Sequence, residues 1–183
     1  MMENGFWVFG YGSLIWHPDI AYSKRMRACL HGYIRSFCMW SIHHRGSVQN
    51  PGLVLALDKK DGAQCDGVAF YVPATKAVEA LASLRERELV SSAYLEISHA
   101  VQLETGEQVD AITYVIDPNH VQYTGDLPLE EQAKIIAGAT GGRGANDEYL
   151  FKTCESFLAM QIEDADLAYL DRQVRMIKRG AVL

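Results

Sequence analysis

Two places in this 183-residue chain carry residue types that could do chemistry. The first is Gly10-Tyr11-Gly12-Ser13, which ends the apolar run Phe6-Trp7-Val8-Phe9 and is followed at once by Leu14-Ile15-Trp16. Alternating glycines let a backbone turn sharply, and with no Cβ they let a ligand approach main-chain N–H groups. Such a turn between apolar walls can hold a small anion or a developing oxyanion along Gly10 to Leu14. On that reading Gly12 sits at positive φ, and Gly12→Val fills the space a ligand needs. A strand ending in a tight turn packed by aromatics is the plainer account of the same local composition. The second place is Glu88. Leu81 and Leu84 lie seven and four positions before it, a spacing that puts all three on one helical face. Glu86 is offset by about 200° at 100° per residue and falls beside Glu79 and Ala82 on the polar side. A glutamate that continues an apolar face is either a helix-end residue reaching solvent or a functional group in a dry site. The helical pattern taken alone favours the first.

Other chemistries lack their residues. A dinucleotide fingerprint needs a third glycine where Ile15 stands, and no Lys-Ser or Lys-Thr follows either this cluster or Gly138–Gly144. Ser13 is followed by Leu14-Ile15, so the Gly-x-Ser-x-Gly elbow of hydrolases is missing. His43 and His44 are adjacent and would face opposite ways on a strand; His17, His31, His99 and His120 form no ligand spacing. No metal site is expected. Cys29, Cys38, Cys65 and Cys154 have neither metal nor redox spacing and read as small buried hydrophobes.

Composition narrows the class further. Hydrophobic content of 49% and charged content of 22% are ordinary for a globular protein, and the length suits one core. The net charge is −6, with only short basic clusters at Lys24-Arg25, Arg27 and Lys178-Arg179, so no nucleic-acid partner is expected. Met1-Met2-Glu3-Asn4 has no basic or continuous apolar segment, and no run reaches membrane-spanning length. A cytoplasmic protein with no membrane partner is the expectation.

The elements that would position these residues follow from the hydrophobic pattern. Arg27 to Trp40 reads as extended, with Gly32 as a bend. Leu53 to Leu57 and Val68 to Val72 read as a hairpin closed by a turn at Asp58–Gly62. Pro73 and Thr75 open a helix with Thr75 as cap and Val78, Leu81 and Leu84 as its apolar face. Tyr94 to Leu103 and Val109 to Ile116 form a second hairpin around Glu104-Thr105-Gly106-Glu107. A helix runs from Asp126 and Pro128 to about Gly138, a third is capped by Asn146, and a fourth begins near Asp164 with Leu167, Leu170, Val174 and Ile177 inward. Six or seven strands precede a helical last third, an α+β order with no linker, so residues 1–183 read as a single domain.

Several strings taken together resemble the ChaC-type γ-glutamylcyclotransferases. Phe9-Gly10-Tyr11-Gly12-Ser13-Leu14-Ile15-Trp16 is similar to that family's N-terminal signature. In the family's order follow His44-Arg45-Gly46 with Pro51-Gly52, Arg87-Glu88 with Tyr94, Tyr123-Thr124-Gly125 with Pro128-Leu129, and Gly142-Arg143-Gly144-Ala145-Asn146-Asp147-Glu148-Tyr149-Leu150. One departure is the longer Leu89-Val90-Ser91-Ser92-Ala93-Tyr94, where some members have Gly-Gly-Tyr shortly after the glutamate.

The resemblance implies a small, mostly antiparallel β-barrel with surrounding helices. It implies that the α-amino group of a γ-glutamyl unit attacks its own γ-carbonyl, closing 5-oxoproline and expelling the attached amine, which for glutathione is cysteinylglycine. Glu88 is then the catalytic acid/base, with an apolar setting bringing its pKa toward the working range. Gly10, Tyr11, Gly12, Ser13 and Leu14 become substrate contacts, and Arg45, Arg143 and Tyr149 are candidates for the substrate's carboxylates and polar groups. No metal, nucleotide or other cofactor is implied. Cyclisation of other γ-glutamyl amines and a non-catalytic binding module on the same scaffold are the alternatives.

Overall fold

The computed structural model describes residues 5–180; Met1–Asn4, on which the reading of the N-terminus rests, and residues 181–183 lie outside them. Strand β1 (Phe6–Gly10) runs antiparallel to the end of β3 (Gly52–Val72), with Phe6 opposite Val72 and Gly10 opposite Val68. On its other edge β1 lies parallel to β5 (Gln108–Ile116), and β5 forms an antiparallel hairpin with β4 (Tyr94–Leu103). Strand β2 (Lys24–Ser41) pairs with β4 at Ala28–Leu30, and the order β1-β3-β2-β4-β5 closes a barrel. The helices are α1 (Ser13–Trp16), α2 (Ala77–Glu88), α3 (Leu129–Gly138), α4 (Asn146–Ala159) and α5 (Ala165–Lys178). The fold is therefore α+β, built on a mostly antiparallel barrel.

The chain divides into two compact units, Met1–Ser36 with Ala56–His120 and Phe37–Leu55 with Val121–Leu183. In the first, continuous apolar runs bury both faces of β1 and of the end of β3, enclosing Val8, Phe9, Val68 and Phe70, and β5 adds Ala111 and Tyr114. A fully buried aliphatic or aromatic side chain of this kind contributes about 1.5–3 kcal/mol. In the second, α5 packs on α3 and α4 through Leu167, Leu170 and Val174, with Ala133, Ile136 and Leu150 also buried. Helix α5, the fourth expected from the sequence, starts near Asp164 as expected, and Asp164 caps it by accepting the Leu167 amide at 2.9 Å. A two-residue ribbon, β6 (Thr140–Gly141) against β7 (Gly144–Ala145), leads into α4.

Several local expectations differ from what forms. Asp58–Gly62 is not a closed turn: β3 is continuous through it, with Gly62 at φ 77°, and its two ends pair in opposite senses, Leu57 parallel to Val115 and Val68–Val72 antiparallel to β1. Thr75 lies within a 3₁₀ turn, Ala74–Lys76, and α2 starts at Ala77 with no side-chain cap. Val78 is exposed; the buried face of α2 is Ala77, Ala80 and Leu84, because small residues there allow closer packing than Val78 would. Asn146 does not cap α4 but is its first residue, since its carboxamide is spent on the Leu53 backbone, donating to the carbonyl at 2.7 Å and accepting from the amide at 2.7 Å. His43 and His44 sit in bends after β2 rather than on a strand. Cys38 and Cys65 are buried as expected, whereas Cys29 and Cys154 are only partly so.

Candidate active site

In the first unit, the glycine turn and Glu88 stand at the two ends of one connected arrangement. Strand β1 delivers the turn: Thr113 Oγ1 donates to the Phe9 carbonyl at 3.0 Å, and Tyr11 Oη donates to the Tyr114 carbonyl at 2.8 Å. Gly10, Tyr11, Gly12 and Leu14 are buried, and Ser13 is half-buried at the start of α1. A Cβ on Gly10 would stand 3.0 Å from Leu14 Cβ, so any side chain here would crowd the close return of the chain. Gly12 lies at φ −142°, not in the left-handed region, so the expected positive φ is absent. Arg35 supports the turn from beneath. Buried on β2, its Nη1 donates to the Tyr11 carbonyl at 3.2 Å and to the Asp66 carbonyl at 2.7 Å.

Glu88 is the last residue of α2, four positions after buried Leu84, while Glu86 is exposed, in agreement with the helical register. The setting of Glu88 is not simply apolar. Its side chain is only 15% exposed, but Oε1 stands 3.1 Å from Arg87 Nε. Arg87 also reaches the turn, donating from Nη2 to Ser13 Oγ at 2.9 Å and from Nη1 to the His17 carbonyl at 2.6 Å. A buried phenol, Tyr114, is near enough to be affected by the charge of Glu88, and its Oη donates to Glu96 Oε2 at 3.1 Å. Burial chiefly, then the Glu96 and Glu88 charges, pushes Tyr114 well above the usual phenol range. Glu96 is held below the usual carboxylate range, first by the hydrogen bonds from Arg85, which approach to 2.6 Å, and also by Tyr114, against the opposing effect of burial. Arg35, Glu96 and Tyr114 were not singled out from the sequence. The signal for Arg35 was slight, a lone charge between Ile34 and the apolar run Phe37-Cys38-Met39, where a cation needs partners.

The second unit holds the remaining candidates. Gly46 and Gly52 touch so closely that a side chain on Gly46 would strike the Gly52 amide, and one on Gly141 would strike the Gly46 amide. Beside this contact Arg45 is buried, and its guanidinium donates to the Ala145 carbonyl at 3.2 Å, lies over the Tyr149 ring at 5.7 Å and stands 3.9 Å from Glu148. Burial lowers the Arg45 pKa, and Tyr149 and Glu148 offset part of that effect. Tyr149 is buried and packs edge-on to Phe37. Arg143 is exposed, its amide bonded to the His44 carbonyl at 2.9 Å. The structure thus groups Arg45 with Tyr149, and Gly10–Leu14 with Glu88. Among the described residues no three His, Cys, Asp or Glu side chains gather as a metal set, and no helix is long and apolar enough to cross a membrane.

Comparison with known proteins extends this picture over nearly the whole chain. Residues 6–178 match the sequence profile of the ChaC-like protein family. The chain is 34% identical over 165 residues to the glutathione-specific γ-glutamylcyclotransferase of Escherichia coli, covering 90% of this chain and 71% of that protein. It is 34% identical over 192 residues to the Schizosaccharomyces pombe protein of the same name, covering 94% of each. The crystal structure of a γ-glutamyl cyclotransferase specific to glutathione from yeast superposes with a TM-score of 0.87 at 26% identity, over 97% of this chain and 98% of that one. From the turn at Gly10 to the end of α5, this chain belongs to the ChaC-like family.

Proposed function

We propose that the protein degrades glutathione by cyclising its γ-glutamyl group, releasing 5-oxoproline and cysteinylglycine. The observation that carries the reading is the shielded Glu88 carboxylate tied through Arg87 to the glycine turn, in a chain whose relatives are glutathione-specific γ-glutamylcyclotransferases. The reacting amine and carbonyl belong to one substrate molecule, so the protein's main task is to hold a folded conformer and move a proton. Glu88 takes a proton from the substrate ammonium. The freed amine attacks the γ-carbonyl, Glu88 returns its proton to the departing nitrogen as the C–N bond to cysteine breaks, and the new ring nitrogen gives up its second proton, which leaves cysteinylglycine as an ammonium and the ring as a neutral lactam. Backbone amides of the stretch Gly10–Leu14 bind the α-carboxylate or the oxyanion. Within the second unit Arg143 is exposed, whereas Arg45 and Tyr149 brace each other. No cofactor takes part in this scheme. A reducing compartment suits the four cysteines, two of them only partly buried, and we place the activity in the cytoplasm.

The longer connection from Glu88 to Tyr94, with Ser92 at φ 57°, favours a second reading, cyclisation of other γ-glutamyl amines. A panel of glutathione and γ-glutamyl dipeptides, compared by kcat/KM for 5-oxoproline release, separates the two. Glutathione is expected to lead the panel. A dipeptide turned over faster establishes the second reading, and no release from any substrate leaves a binding module.

A further inference from the structure

Arg87 has a role that the proposed reaction leaves unassigned. Its guanidinium uses all three nitrogens in three directions: Nε toward Glu88 Oε1 at 3.1 Å, Nη2 to Ser13 Oγ at 2.9 Å, and Nη1 to the His17 carbonyl at 2.6 Å. Ser13 opens α1 and His17 closes it, so one side chain grips both ends of the short helix that follows the glycine turn. The side chain is 15% exposed, as is that of Glu88, and the contact is therefore not a solvent-screened surface pair. A guanidinium is planar and its donors are fixed relative to one another, so contacts made in three directions fix the positions of all three partners.

We propose that Arg87 is a positioning residue, which sets the distance and orientation of the Glu88 carboxylate relative to the Gly10–Leu14 turn. The proposal rests on the reading of Glu88 as the acid/base, and it makes a distinct claim. The substrate amine and γ-carbonyl must meet the carboxylate and the turn at the same moment. A group that locks those two together acts on the chemical step more than on binding. Misplacement by about 1 Å in such an arrangement costs on the order of 10²-fold in rate. A lysine keeps the charge but is a flexible point donor, and it cannot reproduce the three-way grip.

The test is steady-state kinetics with glutathione for wild type, Arg87→Lys, Arg87→Met and Glu88→Gln, each also followed by thermal unfolding. Arg87→Met is expected to lose about 10- to 100-fold in kcat with KM changed by less than about threefold, and Arg87→Lys is expected to recover only part of the loss. If Arg87→Met does not fold, Arg87→Lys decides. Wild-type kcat in folded Arg87→Lys, or a loss carried entirely by KM, overturns the proposal. An inactive Glu88→Gln beside a fully active Arg87→Lys defeats the positioning role alone. A fully active Glu88→Gln defeats the reading on which it rests.

Discussion

At the scale of single residues, the chemistry separates two glutamates only two positions apart. Glu88 is shielded and paired, whereas Glu86 is exposed on the same helix. Glu88→Gln keeps shape and hydrogen-bonding reach but cannot accept the ammonium proton, so turnover should fall by roughly 10²–10⁴-fold. Glu86→Gln should leave turnover nearly unchanged and alter stability by less than about 0.5 kcal/mol. Rates of 5-oxoproline release from the two purified variants check both statements. The register separating them was readable from spacing alone, because helical periodicity is a local property. The partners of Glu88 were harder to read. Arg87 meets Ser13 across 74 residues and Tyr11 meets Tyr114 across 103, and no local pattern encodes contacts so distant in sequence. Glu96 makes a further prediction. Its folded-state pKa is depressed below the ordinary 4.5, so it stabilises the fold above that value, and the contribution is lost as pH falls through the lower folded value. Glu96→Gln should therefore be less stable than wild type at neutral pH, and the gap should close in acid, as urea midpoints at several pH values would reveal.

At the scale of elements, what the sequence made legible is what short-range rules govern. The β4–β5 hairpin was legible because Gly106, at φ 87°, supplies the turn between two alternating strands. Helix α5 was legible because Asp164 caps it and its inward positions recur every three or four residues. Helix α4 was misread at its start. Asn146 has the side chain of a cap, but the neighbouring strand claims it through the Leu53 amide and carbonyl. That use makes a sharper prediction than capping would. Asn146 is fully buried, and Asn146→Ala leaves a buried backbone donor and acceptor without their partner. The expected cost is about 2–4 kcal/mol from two unmet groups, against about 1 kcal/mol for loss of an ordinary cap. Denaturant unfolding of the variant measures the difference. A loss near the smaller figure would mean the Leu53 contact is weak.

At the scale of the whole molecule, the barrel itself could not be read from periodicity, since closure depends on β1 meeting both β3 and β5, strands remote in sequence. The ordered family strings supplied it, and the match over residues 6–178 covers both compact units. Strands β2 and β3 each run unbroken from one unit into the other. We therefore propose that residues 1–183 behave as one cooperative domain, so that far- and near-ultraviolet circular dichroism should trace coincident unfolding curves. Two separated transitions would contradict this. The central claim concerns the reaction, in which the substrate's own amine, not water, attacks the γ-carbonyl. The most direct test is to incubate the purified chain with glutathione and follow all products by NMR. The account predicts 5-oxoproline and cysteinylglycine in equal amounts, with no free glutamate, and almost none of either product with Glu88→Gln. Free glutamate as the main product, or undiminished 5-oxoproline from the Glu88 variant, would contradict it.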